Sequence, residues 1–475
     1  MNKRLFWLLS LLFVLVNLFT PYSCFFLNAE AGPDVHVGLR VQSFNRGWKF
    51  NLGDADGAQD IGFDDSSWRS LDLPHDWSIE LPFNEKSTAG SGGGYLDGGI
   101  GGYRQTFSLP QELSGKKIFI RFDGVYMNSE VWINGQYLGI YPYGFTSFEY
   151  DLTPYLKFGN RINILAVRVN NQTPSCRWYS GSGIYRNVWL TVTDPVYVPY
   201  GGMFVKTPQV DAASASIDVN TCIKNETDVI KPVSLKTMIV DAKGKKIATG
   251  TTPVVSIPAH GEHTFNQNLT VANPRLWSVD SPYLYTVKTE VLVDSTLVDT
   301  YQTTMGIRTF RFDPDTGFYL NGKNMKLHGV CMHHDLGSLG AAVNYRAIER
   351  QMEIMKAMGC NAIRTAHNPP APELLDVCDR LGLLVIDEAF DCWTKPKHTY
   401  GYHLVFNEWA EKDIKAMVRR DRNHPCVIMW SIGNEIIDTY EGGVETARNL
   451  IKWVREEDNT RAVTIGSNSA WSPTS

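Results

Sequence analysis

The sequence predicts a multidomain β plus α/β protein: a jelly-roll β-sandwich, an immunoglobulin-like β-sandwich, then an incomplete (β/α)8 TIM barrel with about five of its eight strands. Three observations support this fold class. The chain has 475 residues, more than one hydrophobic core usually serves. Short alternating strands fill its first part, and after residue 308 apolar strands alternate with amphipathic helices. The predicted domains span residues 40–195, 196–308 and 309–475.

The first 31 residues have the pattern of a signal peptide. A cationic start at Lys3-Arg4 precedes an apolar run over residues 5–19 and a small-residue cleavage site at Ala29-Glu30-Ala31. The run is short for a membrane span. We therefore expect an exported protein, periplasmic or extracellular at the cell surface, which would meet a membrane only through a lipid anchor at Cys24.

Composition and charge narrow the class of partner. A net charge of −5 gives no reason to expect nucleic acid or an anionic membrane surface. The 13 tryptophans suit stacking on sugar or base rings and suit β-sandwich cores equally well. The cysteines follow no CxxC spacing, which indicates neither a disulfide framework nor a zinc site.

Both predicted sandwiches rest on strands with period-two alternation. In the first, residues 118–122 alternate, and 131–133 run into Asn134-Gly135, a pair typical of tight hairpin turns. The glycine-rich stretch from Ser87 to Gly102 is predicted as a long exposed loop. In the second sandwich, residues 217–223 alternate in the same way.

The barrel prediction rests on repeated strand–helix units. A whole barrel needs about 250 residues, so the residues after 310 suffice for only part of one. We therefore interpret the chain as a fragment cut inside this domain, with an open sheet edge. The predicted strands cover residues 327–330, 361–365, 383–386, 427–430 and 462–465.

Polar side chains follow the predicted barrel strands, where successive strand ends converge on one mouth. Carboxylates, amides, histidines and a fixed cation there suit recognition of sugar hydroxyls and acid–base work on an acetal. Two histidines with a carboxylate could instead hold a metal, but HxH and HExxH spacings are absent, as is a GxSxG elbow. The residues are His333, His334, Asp335, Arg364, His367, Asn368, Asp387, Glu388, Asp391, Trp393, Asn434 and Glu435.

Several of these residues lie in longer motifs through which the chain resembles glycoside hydrolase family 2, in particular its exported β-galactosidase-like members. Asn361 to His367, continued through Cys378 to Leu383, is similar to one barrel signature of that family. Asp421 to Glu435 is similar to its acid/base segment, and Arg177 to Arg186 resembles its sugar-binding first domain.

The resemblance implies a role for each candidate residue. Glu435 would be the general acid/base, and Arg364 would position the nucleophile. The implied substrate-binding residues are Asn434, His333, His367, Arg364, Trp178 and Asn170. Asn170 stands where the family often has Asp, and Asn368 where it usually has Tyr.

The resemblance also implies what this chain lacks. The family's nucleophile is a second Glu at the end of strand seven, which this sequence does not reach, so we expect the fragment to be catalytically inert. Cys392 and Trp393-Thr394 occupy the positions where some members hold magnesium, so no metal and no cofactor are predicted.

The implied function is a retaining, exo-acting β-glycosidase that hydrolyses terminal β-D-galactosides by double displacement. An apolar wall containing Trp430 and Ile432 would raise the pKa of Glu435, as a proton donor requires. A β-glucuronidase or β-mannosidase of the same family, or a secreted glycan-binding protein without catalysis, are the alternatives. The expected partner is a carbohydrate, and a homo-oligomer of the full-length protein is left open.

Overall fold

The computed structural model describes residues 33, 35–436 and 442–468. The predicted signal peptide, with Cys24, lies outside these residues. No helix in the described part of the chain is long and apolar enough to cross a membrane.

The first part of the chain is an antiparallel sandwich of two sheets. One sheet has the order β1-β10-β5-β8 and the other β3-β2-β4-β9-β6-β7. Apolar side chains from alternate positions, such as Ile118, Ile120 and Phe122, are fully buried between the sheets, as period-two alternation predicts. The strands are β1 Val41–Ser43, β2 Trp48–Leu52, β3 Arg69–Leu71, β4 Gly99–Ser108, β5 Lys117–Phe122, β6 Ser129–Ile133, β7 Gln136–Tyr141, β8 Phe148–Asp151, β9 Ile162–Asn171 and β10 Val188–Thr193.

The glycine-rich stretch differs from its prediction at one end. Gly99 to Gly102 do not continue the loop but begin β4, which pairs with β9. The physical reason lies in two tryptophans. A Cβ atom at Gly101 would come within 2.7 Å of Trp77, and one at Gly102 within 2.9 Å of Trp68. Glycine in this strand lets the indole rings pack directly on the backbone.

The second part is another antiparallel sandwich. One sheet has the order β11-β13-β12 with β17 added to β13, and the other β15-β14-β18-β19 with β16 added to β14. The predicted alternation over 217–223 lies inside β13. The strands are β11 Val196–Tyr197, β12 Met203–Val210, β13 Ser214–Asn225, β14 Lys231–Val240, β15 Lys246–Thr251, β16 Val255–Ile257, β17 Gly261–Ala272, β18 Tyr285–Val293 and β19 Thr296–Met305.

The third part is an open, five-stranded parallel sheet with helices between its strands, which is an incomplete barrel. Its order is β23-β24-β25-β26-β27, and a small antiparallel sheet, β20-β21-β22, precedes it. The strands are β20 Phe310–Asp313, β21 Gly317–Leu320, β22 Lys323–Met325, β23 Gly329–Met332, β24 Ala362–Thr365, β25 Leu384–Glu388, β26 Val427–Ser431 and β27 Ala462–Thr464; the helices are α1 Tyr345–Ala357, α2 Pro372–Leu381, α3 Phe406–Asp421 and α4 Gly443–Glu457.

The first barrel strand starts two residues later than predicted. The Asn361 side chain accepts a hydrogen bond from the His328 backbone N–H at 2.8 Å and donates one to the Lys326 carbonyl at 2.9 Å. Because this side chain bonds the backbone there, the strand ladder begins only at Gly329, which pairs with Ala362.

The first sandwich is fastened to the barrel by a buried cation. Arg186 is fully buried and donates to the carbonyl oxygens of Pro369 at 2.8 Å and Pro370 at 2.9 Å. These prolines follow β24 closely, so the contact holds the segment before β10 against the carboxyl ends of the barrel strands. The candidate site lies at this junction.

Candidate active site

The candidate site is built around the end of β26. Four of its five residues are buried, as an apolar strand covered on both faces requires. Gly433 follows, and a Cβ atom there would approach the Trp393 indole nitrogen to 2.8 Å. Glu435 then has a φ of 46°, a left-handed conformation that residues other than glycine rarely adopt. Such backbone conformations are often found at functional sites.

Glu435 is half-exposed and ion-paired with the first sandwich. Its Oε2 accepts a hydrogen bond from Arg177 Nη1 at 2.7 Å, and its side chain is 49% exposed. This bond and the charge of Arg177 lower the pKa of Glu435, whereas the sequence predicted a raised pKa. The proposed apolar wall is wrong as well: Trp430 and Ile432 are buried in the barrel core, and the Trp430 indole donates to Asp458.

Asp391 joins Arg177 to the neighbouring Asn434. Arg177 donates to both carboxylate oxygens of Asp391, from Nη2 at 2.6 Å and from Nε at 2.9 Å. Asn434 Nδ2 donates to the same carboxylate at 2.9 Å, and Lys397 donates to the Asn434 carbonyl at 2.8 Å. Burial raises the pKa of Asp391, but Arg177 and Lys397 outweigh it and lower that pKa overall.

Glu388, at the end of β25, holds two side chains from the end of β24 by hydrogen bonds. It is fully buried and accepts hydrogen bonds from Arg364 Nη2 and His367 Nδ1, both at 2.7 Å. Ser431 Oγ donates to it at 2.6 Å. Arg364 Nη2 also reaches Asn434 Oδ1 at 2.8 Å. One polar network therefore runs from Glu388 to Glu435.

An aromatic wall stands beside this network. The Trp178 ring lies 4.3 Å from the His333 ring and 6.1 Å from the His367 ring, and the two imidazoles are 5.4 Å apart. Trp178 keeps 37% of its surface exposed. Burial lowers the pKa of His333, and the nearby His367 lowers it further. This favours a neutral imidazole, which can both donate and accept hydrogen bonds.

Of the seven residues to which the resemblance assigned a role, the structure thus brings together six and leaves one aside. Glu435 and Asn434 meet Arg364 and His367 through the network, while His333 and Trp178 form the wall. Asn170 joins neither group: its backbone N–H bonds the Met127 carbonyl, its own carbonyl accepts from Asn128, and its buried Oδ1 has no described partner.

Several strand-end residues have structural contacts instead. The His334 ring packs against Phe145 and Tyr185, and the Asn368 amide oxygen accepts from Tyr143. The Asp387 side chain lies on the opposite face of β25 from Glu388. Burial raises the pKa of Asp387, and the negative charge of the nearby Asp421 raises it further.

Sequence reasoning gave no role to Arg177, Lys397, Asp391 or Glu388, although the latter two were noted at the strand end. Arg177 had a signal, because it directly precedes Trp178 in the quoted motif. Its partners are 214 and 258 residues away in sequence, and only the tertiary structure shows them.

One described cluster has ligand types that could bind a metal ion: Asp379, His424 and Cys426. It lies before β26 begins, at the opposite end of the strand from Glu435. Asp379 already accepts hydrogen bonds from His424 Nδ1 at 2.6 Å and from the Cys426 N–H at 2.9 Å. Internal hydrogen bonds therefore account for this cluster.

Comparison with known proteins matches all three parts of the chain. Models described as Glycosyl hydrolases family 2 match as the sugar binding domain at residues 96–195, as family 2 at 198–308 and as the TIM barrel domain at 314–474. Together they cover most of the chain.

Individual relatives are similar over most of this chain. Beta-galactosidase BoGH2A from Bacteroides ovatus is 53% identical over 398 residues, which are 84% of this chain and 46% of that protein. A beta-glucuronidase from Formosa agariphila is 32% identical over 82% of this chain and 42% of its own length. A crystal structure of a family 2 member from Bacteroides cellulosilyticus has a TM-score of 0.89 at 44% identity, over 90% of this chain and 56% of that one. The chain spans about half the length of the curated relatives it matches.

Proposed function

The chain belongs to glycoside hydrolase family 2, and from this premise we propose that it serves the hydrolysis of terminal β-D-galactosides, with Glu435 as general acid/base. The observation that carries the proposal is the network that ends on an exposed carboxylate beside the Trp178 wall. A galactose ring has an apolar face for an indole and hydroxyls for amide, imidazole and guanidinium groups.

Ion pairs hold the charged side chains in the described part of the site. Arg364 is bonded to Glu388, Arg177 to Glu435 and Asp391, and Lys397 to Asp391. The proposal of a galactoside is supported by the similarity to Beta-galactosidase BoGH2A, which is 53% identical over 398 residues.

The proposed chemistry is general acid/base catalysis at Glu435. The protonated carboxyl would give its proton to the leaving glycosidic oxygen and later take one from water. Arg177 opposes protonation, because it bonds and stabilises the carboxylate form. A leaving group that displaces Arg177 from Oε2 would remove this hydrogen bond, which ties proton donation to substrate binding.

A retaining reaction also needs a nucleophilic carboxylate, about 5–5.5 Å from the acid/base. Of the described carboxylates in the network, Glu388 is held by Arg364 and His367, and Asp391 by Arg177 and Asn434. Both serve as hydrogen-bond acceptors there. We therefore assign the attack to neither of them.

The test uses the full-length protein with a complete barrel, and measures release of nitrophenol from nitrophenyl β-D-galactoside and β-D-glucuronide by that protein and by its Glu435→Gln variant. We expect galactoside turnover that falls by at least about 100-fold in the variant, the usual size of general acid/base catalysis. Equal rates in both proteins would defeat the assignment of Glu435. Galactose binding without turnover of either glycoside would favour the non-catalytic glycan-binding alternative.

We also propose that the protein is exported, on the basis of its first 31 residues. Expression of the intact chain and sequencing of the mature N-terminus tests this. Recovery of uncleaved protein in the cytoplasm would contradict the proposal.

A further inference from the structure

A second cleft lies at the other end of the barrel from Glu435. It has a volume of about 500 Å³ and is lined by the second sandwich and the C-terminal ends of α3 and α4. Both helices lead into the amino ends of barrel strands, whereas Glu435 follows the carboxyl end of β26. This cleft is therefore separate from the candidate active site, and its volume is in the range of about 300–1,000 Å³ that ligand pockets occupy.

The cleft has a cationic lining. Five arginine and lysine side chains line it, against three glutamates. Two of the glutamates are already neutralised. Glu457 forms ion pairs with Arg419 and with Arg422, and Glu456 pairs with Lys415 at 2.7 Å. Once these pairs are set aside, the remaining side chains of the lining carry an excess of positive charge.

The excess resides on three side chains. Lys206, Lys224 and Arg455 have no ion-pair partner among the described residues of the chain. Against these, Glu262 is the one lining carboxylate without a described cation partner. An anion that enters the cleft would therefore meet uncompensated positive charge.

We propose that this cleft binds an anionic oligosaccharide, with sulfate esters or carboxylates at Lys224 and at Lys206, whose strand partner Asp218 lies six residues before Lys224 on β13. The amides of Asn220 and Asn459 and the hydroxyl of Thr264 also line the cleft and offer partners for sugar hydroxyls. Charge-assisted hydrogen bonds to the anion supply the affinity, and the neutral groups distinguish a sugar from a free ion.

Calorimetric titration of the whole chain tests the proposal with three probes: maltose 6-sulfate, maltose and inorganic sulfate. The α-linked sugar is not a substrate for the proposed β-galactosidase, so failure of that function leaves this test intact. We expect the sulfated sugar to bind at least about tenfold more tightly than either of the other probes, as one charge-assisted contact allows.

Three variants make the test specific to the cleft. The double variant Lys206→Gln and Lys224→Gln should bind the sulfated sugar at least about tenfold more weakly, whereas Glu262→Gln should bind it more tightly. Lys243→Gln, on an exposed turn of the same sandwich, is the matched control and should leave affinity unchanged.

Three outcomes overturn the proposal. The first is the absence of detectable binding, and the second is an equal loss of affinity in the Lys243→Gln control. The third is inorganic sulfate binding as tightly as the sulfated sugar, which would make the cleft an anion site without sugar recognition.

Discussion

Substitution of Glu388 by Gln tests whether one buried carboxylate organises the candidate site. Glu388 is fully buried and accepts from Arg364, His367 and Ser431. The substitution removes the charge that balances Arg364 and turns one acceptor into a donor facing other donors. Removing one partner of a buried ion pair costs about 3–5 kcal/mol.

The expected loss lies at the lower end of that range, because the Arg364 side chain keeps 25% of its surface in solvent. We expect about 3 kcal/mol in the free energy of unfolding of the barrel part, or roughly 6–12 °C in the midpoint of thermal unfolding. Binding of a galactose-configured inhibitor should weaken by at least about tenfold, since both Arg364 and His367 lose the group that orients them.

Circular dichroism on heating and calorimetric titration with the inhibitor provide the two measurements. Glu353→Gln on the exposed face of α1 is the matched control, because it breaks a surface ion pair with Arg346. We expect that control to change stability by less than about 0.5 kcal/mol. A Glu388→Gln protein with an unchanged midpoint and unchanged binding would refute the role given to this carboxylate.

Three further predictions follow from the ionisable groups. Arg177→Gln removes the hydrogen bond and charge that lower the pKa of Glu435, so the alkaline limb of the kcat/KM profile of the full-length protein for a β-galactoside should move to higher pH; an unmoved limb would contradict the pairing. Burial lowers the pKa of His424, but Asp379 outweighs it and raises that pKa to about 9. His424 therefore stabilises the fold below its ordinary pKa of 6.5, and this contribution is lost between pH 6.5 and 9; urea unfolding should show the decline in the wild type and not in His424→Gln. Burial raises the pKa of Asp413 to about 7, so its contribution to stability falls as pH rises from about 4 to 7, and Asp413→Asn should flatten this part of the urea profile.

Much of the fold could be predicted from sequence because local periodicity reflects burial. The apolar run over β26 and the alternation in β13 each record which faces of a strand are covered. The predicted strand boundaries were less accurate where one or two side chains decided them. Asn361 delays the first barrel strand, and two tryptophans extend β4 into a glycine-rich stretch.

The sequence by itself determined the order of the three parts, the barrel strands and the motif that ends at Glu435. Only the tertiary structure decided the environment of that residue. Its protonation depends on Arg177, 258 residues away in sequence. The orientation of the Arg364 side chain depends on Glu388, a carboxylate at the end of the next strand, β25. A pKa is set by the charges and solvent within a few ångströms, and residues far apart in sequence supply them only after the chain has folded.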